Sequence, residues 1–259
     1  MGNYVDVGVQ VPHFPPFWRE GLAGLELAAL RRSAVWRGGG IPDGEGRPVL
    51  LIPGFLAGDG SLATMTQWLR QNGYHTRRAG IRINVGCSSE AIDRLEERVE
   101  RFAEESGERV ALIGQSRGGI FARNLAVRRP DLVSGIVTLG SPTVNQLSTH
   151  PLVLAQVALV GVLGTTRFPG MLRMSCLRGE CCKRFRDEFH ADVPPEVGFT
   201  AIYSKTDGIV NWQACLDPSA EQVEVRASHV GMGANAEVYA EIGNALPAFA
   251  DGRIWAKAA

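Results

Sequence analysis

The sequence predicts an α/β fold built on a mostly parallel, doubly wound sheet, and three observations carry that prediction. Short apolar runs rich in β-branched residues recur along the chain, at residues 48–52, 109–113 and 200–204 among others, and such runs read as buried strands. Between them lie stretches with apolar residues at helical spacing, so that strand and helix alternate as in a sheet covered on both faces. Glycine-rich corners join the two kinds of element, with 31 glycines in 259 residues.

Taken in order, residues 16–37 read as a helix with Leu22, Leu25, Ala29 and Leu30 as its apolar stripe, so residues 1–45 form a helical extension ahead of the first strand. The Gly38-Gly39-Gly40 and Pro42-Asp43-Gly44 clusters mark a loop. Strand 48–52 follows, then the loop Pro53-Gly54-Phe55-Leu56, a helix over 62–72 and a strand beginning at Tyr74. Residues 90–105 form a charged amphipathic helix with Ile92, Leu95, Val99 and Phe102 on its buried face. After strand 109–113, residues 120–127 read as a helix closed by Pro130, and the next strand ends in Thr138-Leu139-Gly140-Ser141-Pro142. Residues 143–196 break the alternation and are too long for a simple connection, and such insertions often carry function. Strand 200–204, a strand-like alternation over 223–227 and a helix over 235–246 complete the chain. Single α/β domains reach about 250 residues, so 1–259 is expected to be one domain.

The most informative stretch is Gly114-Gln115-Ser116-Arg117-Gly118-Gly119. A Gly-x-Ser-x-Gly between a strand and a helix is a nucleophile elbow, a turn so tight that flanking side chains would clash and the serine Oγ stands clear of the strand. A serine needs a base and an orienting acid, and in elbow proteins these follow in the order acid, then histidine. Of five histidines, His229 alone has a strand-like run before it and a helix after it; His13, His75, His150 and His190 read as surface or packing residues. Asp207 follows strand 200–204 at the sheet edge where parallel sheets build their sites. Asp217 is the second candidate acid, and Asp131 falls at the opposite end of the sheet. An oxyanion hole needs two backbone N–H donors, expected from Arg117, after the serine, and Phe55, in the loop after strand 48–52.

These pieces, together with Ser228-His229-Val230-Gly231 and the strand end 138–142, resemble the α/β-hydrolase fold, and within it small bacterial lipases and esterases, over residues 48–247. The resemblance implies a serine carboxylic-ester hydrolase that works through an acyl-enzyme on an apolar ester, with Ser116, Asp207 and His229 as its triad, Phe55 and Arg117 as oxyanion donors, and neither cofactor nor metal. It also implies that 143–196 is a cap; the apolar run 151–163 would then line an acyl pocket, with a dimer contact or a plain core helix as the alternative readings of that run. Two residues depart from the common lipase pattern. Pro53 stands before the oxyanion glycine, and Arg117 replaces a small or apolar residue, which would place a cation at the pocket mouth. An acyltransferase, thioesterase, lactonase or cofactor-free haloperoxidase would leave nearly the same motifs, whereas a non-enzymatic binding protein with this fold would be expected to show a damaged triad.

Composition narrows the partners. Lys plus Arg and Asp plus Glu number 27 each, for a formal net charge of zero, which argues against a nucleic-acid partner. The run 151–163 is shorter than the ~20 residues of a membrane span, so no stable membrane insertion is expected, and the partner implied by the resemblance is a small-molecule or lipid ester. Residues 1–6 lack the basic and apolar regions of a signal peptide, and a cytoplasmic location is expected. Cys176, Cys181 and Cys182 cluster but lack paired zinc knuckles. With Cys87 and Cys215 the cysteines number five, an odd count for which free thiols are expected, with a disulfide from Cys176 to Cys181 or Cys182 as the alternative in an oxidising compartment.

Overall fold

The computed structural model describes residues 15–166 and 168–250; His13 and the segment 1–6 lie outside them. Six strands form one sheet in the order β2-β1-β3-β4-β5-β6: β1 (Pro48–Ile52), β2 (His75–Arg78), β3 (Val110–Gln115), β4 (Val133–Leu139), β5 (Gly198–Tyr203) and β6 (Glu221–Glu224). Every pairing is parallel. The α/β expectation thus holds, with a sheet that is wholly parallel.

The central strands are continuous apolar runs because both of their faces are covered. Side chains alternate across a strand, so Leu50, Ile52, Val110 and Leu112 enter one core. Val49, Leu51, Ala111 and Ile113 enter the other. The first core receives α3 (Ser88–Ser106) through Ile92, Leu95, Val99 and Phe102, and α4 (Arg117–Arg128) through Phe121 and Leu125. The second receives α2 (Ala63–Gln71) through Met65, Trp68 and Leu69, and α8 (Ala236–Ala250) through Val238, Tyr239 and Ile242.

Two regions differ from the sequence expectation. The 16–37 segment divides into a 3-10 turn (Phe17–Leu22), α1 (Ala23–Arg32) and a second 3-10 turn (Val35–Arg37). Leu30 is buried, but Leu25 is 69% exposed, because the inward face of this segment is fixed by carboxylates rather than by an apolar stripe. Residues 143–196 hold α5 (Pro151–Thr166), α6 (Met174–Arg178) and α7 (Lys183–His190). Of these three helices, α5 and α6 help line the cavity at the carboxyl end of β3, together with the segment's non-helical residues Gln146, Leu147, Thr149 and Leu172. By contrast, α7 returns to the first core, with Phe185 and Phe189 buried in it and Glu188 accepting two hydrogen bonds from Arg128 at 2.7 and 2.8 Å. No helix among the described residues is long and apolar enough to cross a membrane.

Candidate active site

Ser116 sits between β3 and α4 with φ 53° and ψ −120°. Such backbone geometry in a non-glycine residue costs of order 1–3 kcal/mol and persists only where the surroundings impose it. Here they do. A Cβ on Gly114 would run into the backbone of Gly118 and Gly119, and one on Gly118 into the carbonyl of Ile52, so glycine on both sides lets β1, β3 and α4 converge. The Ser116 amide donates to the Leu139 carbonyl at 2.8 Å, fixing the corner to the end of β4.

The structure brings Asp207 and His229 together: Asp207 Oδ2 lies 2.7 Å from His229 Nδ1. Both side chains are buried, at 2% and 5% exposure, and Ser116 and His229 line one cavity. Asp207 Oδ1 accepts from the Ile209 and Val210 amides at 2.8 and 2.7 Å, so each carboxylate oxygen has a fixed task. With Nδ1 engaged, Nε2 is the ring nitrogen of His229 left to exchange a proton. Burial by itself would lower the His229 pKa; the Asp207 carboxylate, by charge and hydrogen bond, and Glu20 by charge outweigh it and hold the imidazole above its ordinary value. Gly140, at φ 53°, is the residue beneath this pair: a Cβ there would lie 2.9 Å from Asp207 Oδ2 and 3.1 Å from His229 Nδ1.

Asp217, the second candidate acid, is elsewhere. Its Oδ2 accepts from Arg123 Nε at 2.6 Å, and Arg123 also donates to the Phe189 carbonyl at 2.9 Å. Asp217 therefore belongs to a buried ion pair that ties α4 to the end of α7. Asp131 pairs with Arg129 at the surface, while His75 and His190 are exposed.

Gly54 brings the β1 loop against the serine: a Cβ on it would stand 3.2 Å from Ser116 Cβ. Among the described residues, neither the Phe55 nor the Arg117 amide donates to a protein acceptor, which leaves both for a ligand oxygen. The Arg117 side chain does not stand free at the pocket mouth. It donates to the carbonyls of Asn84 (3.2 Å) and Gly86 (2.7 Å) and to Ser88 Oγ (3.1 Å) and lies over the Phe121 ring at 5.0 Å. Burial lowers its pKa to about 10, so it stays charged at neutral pH, spent on loop carbonyls rather than on a substrate.

Three supporting residues escaped the sequence reading. Gln115 Nε2 donates to the His229 carbonyl at 2.9 Å. Glu20 accepts at Oε1 from the amides of Gly208 (3.0 Å) and His229 (3.1 Å), and at Oε2 from Val230 (2.8 Å). Glu26 Oε1 accepts from the Ser228 amide at 2.8 Å; burial raises its pKa, with that hydrogen bond opposing. Two carboxylates near the start of the chain thus hold the acid and histidine loops. No local pattern marks them, since the partners lie about two hundred positions away.

Two cavities meet at Ser116, and Phe55 and Val153 border both. One is apolar and walled by Ile120, Leu154, Val157, Leu172 and Leu177. The other contains His229, with Leu56, Gln156, Ile209 and Val230. In α5 the residues that line these cavities are Val153, Leu154, Gln156 and Val157; Leu159 is 59% exposed and lines neither, so only part of the run expected to line an acyl pocket reaches them.

Residues 47–167 match the family model described as alpha/beta hydrolase fold. The structure is similar to a lipase of Bacillus licheniformis in its mature form (TM-score 0.59, 16% identity, covering 79% of this chain and 94% of that one). It is also similar to the metagenomic carboxyl esterase MGS0156 (TM-score 0.58, 15% identity, 81% and 77%) and to a monoacylglycerol lipase of Paleococcus ferrophilus (TM-score 0.54, 16% identity, 82% and 97%). The chain has the α/β-hydrolase fold.

Proposed function

We propose that this chain, with its α/β-hydrolase fold, is a serine hydrolase that cleaves carboxylic esters with an apolar acyl group. The observation that carries the proposal is the buried 2.7 Å Asp207–His229 pair, whose histidine lines the same cavity as a serine held at a glycine-like backbone angle. Ser116 Oγ attacks the ester carbonyl as His229 Nε2 takes its proton. Asp207 fixes the imidazole tautomer and stabilises the cation that forms. The Phe55 and Arg117 amides receive the oxyanion, an interaction whose removal costs roughly 3 kcal/mol per donor in comparable enzymes.

His229 then protonates the departing alcohol, so the alcohol belongs in the cavity that holds His229 and the acyl chain in the apolar one under α5. Water takes the alcohol's place, activated by the same histidine, and releases the acid. The neighbouring lipase and esterase folds agree with this reading, as does the apolar wall of Leu154, Val157 and Leu177.

A fluorophosphonate probe tests the nucleophile. The expected result is one adduct per chain on Ser116, none on Ser116→Ala, and turnover of p-nitrophenyl esters that disappears in the same variant. Parallel thioester and lactone substrates report which acyl bond is preferred. Retained turnover in Ser116→Ala would overturn the proposal.

A further inference from the structure

Cys87 joins Cys176, Cys181 and Cys182 although it lies about ninety residues before them. The four Sγ atoms lie within 4.8 Å of one another, with Cys87 to Cys182 at 3.4 Å and Cys181 to Cys182 at 3.8 Å. Four thiolates around one zinc ion at about 2.3 Å would stand about 3.8 Å apart in a tetrahedron, close to the spacing already present. We propose that these four cysteines form a structural tetrathiolate site for Zn2+.

Its surroundings fit that charge. Four thiols binding one Zn2+ release four protons and leave a complex of net charge −2, with no change of oxidation state. The Arg117 guanidinium bonds to both neighbours of Cys87, Gly86 O at 2.7 Å and Ser88 Oγ at 3.1 Å, which places a cation beside the complex. Cys87 itself caps the amino end of the 19-residue α3, where the helix dipole favours negative charge. A complex with all four positions filled by protein leaves none for substrate, so the site is structural.

Its place in the fold gives it a task. Cys87 belongs to the α3 side of the core, while Cys176 to Cys182 span α6 and the 3-10 turn that follows it. Cys176 and Leu177 also line the apolar cavity at Ser116. The ion would clip the inserted segment to the core at the wall of that cavity. This inference does not depend on the proposed ester chemistry, because its readouts are metal content and spectroscopy.

The full chain, purified under reducing conditions with added zinc and then desalted, is analysed for metal, reloaded with Co2+ after chelation, and weighed intact under denaturing conditions. The expected result is one zinc per chain, a thiolate-to-cobalt charge-transfer band with the visible bands of tetrahedral cobalt, and thiols that react slowly until a chelator is added. In Cys181→Ser, which alters an exposed thiol, the ion should be lost on desalting and the charge-transfer band should weaken, while circular dichroism stays that of a folded protein. Absence of retained zinc with all thiols reactive would overturn the site. So would a mass two daltons low, showing a disulfide, or an ion held without thiolate bands and equally in Cys181→Ser.

Discussion

Glu20→Gln separates anchoring from electrostatics in the candidate site. The native carboxylate accepts three backbone hydrogen bonds, from Gly208, His229 and Val230. Glutamine keeps Oε1 for the first two but sets an NH2 group against the Val230 amide, so one charge-assisted bond is lost, a change of about 1.5–3 kcal/mol. Val230 is 53% exposed and water takes over part of that bond, which favours the low end and a Tm fall of roughly 3–6 °C for a chain of this size. The charge has a second effect. Glu20 helps hold the His229 pKa above its ordinary value, and a histidine base works only when neutral, so activity rises as pH climbs through that raised pKa. Removing the charge should move the acid limb of kcat/KM to lower pH and lower its plateau by less than the ~10²-fold of a 1 Å misplacement. Calorimetry and a pH profile on a soluble ester read both effects. A lower Tm with an unmoved acid limb would refute the electrostatic part, and no change in either would refute the anchor.

Asp207→Asn should lower kcat by up to about 10⁴-fold, since the wrong histidine tautomer is then favoured. Asp217→Ala should instead lower stability by about 3–5 kcal/mol by leaving Arg123 buried and unpaired, a difference visible in urea melts. Ser116→Gly should abolish turnover yet raise stability by about 1 kcal/mol or more, because glycine adopts φ 53° without strain. Leu154→Ser should reduce kcat/KM for octanoate relative to acetate esters, at about 0.8 kcal/mol for each methylene that loses apolar contact. Leu159→Ser, on the exposed face of α5, should leave that ratio unchanged.

The sequence by itself determined the alternation of strands and helices and the tight glycine-flanked corner at Ser116, and it made Asp207 and His229 candidates to meet that corner. These are local matters: a strand buried on both faces must be apolar along its length, and a corner as tight as 114–118 accepts only glycine two positions to either side of the serine. The buried face of α3 was equally legible, because helical period alone fixes it. The tertiary structure decided what distance along the chain conceals. Asp207 and Asp217 are ten residues apart and both buried, and only packing sends one to His229 and the other to Arg123. Packing likewise turns 153, 154 and 157 of a largely apolar helix toward the apolar cavity and Leu159 away from it, a choice that periodicity cannot make where nearly every face is apolar. Glu20 and Cys87 gain their partners from segments about two hundred and about ninety residues away. Each is an ordinary carboxylate or thiol until the sheet brings those segments together, because hydrogen bonding and metal ligation depend on distances of a few ångströms in space rather than on spacing in sequence.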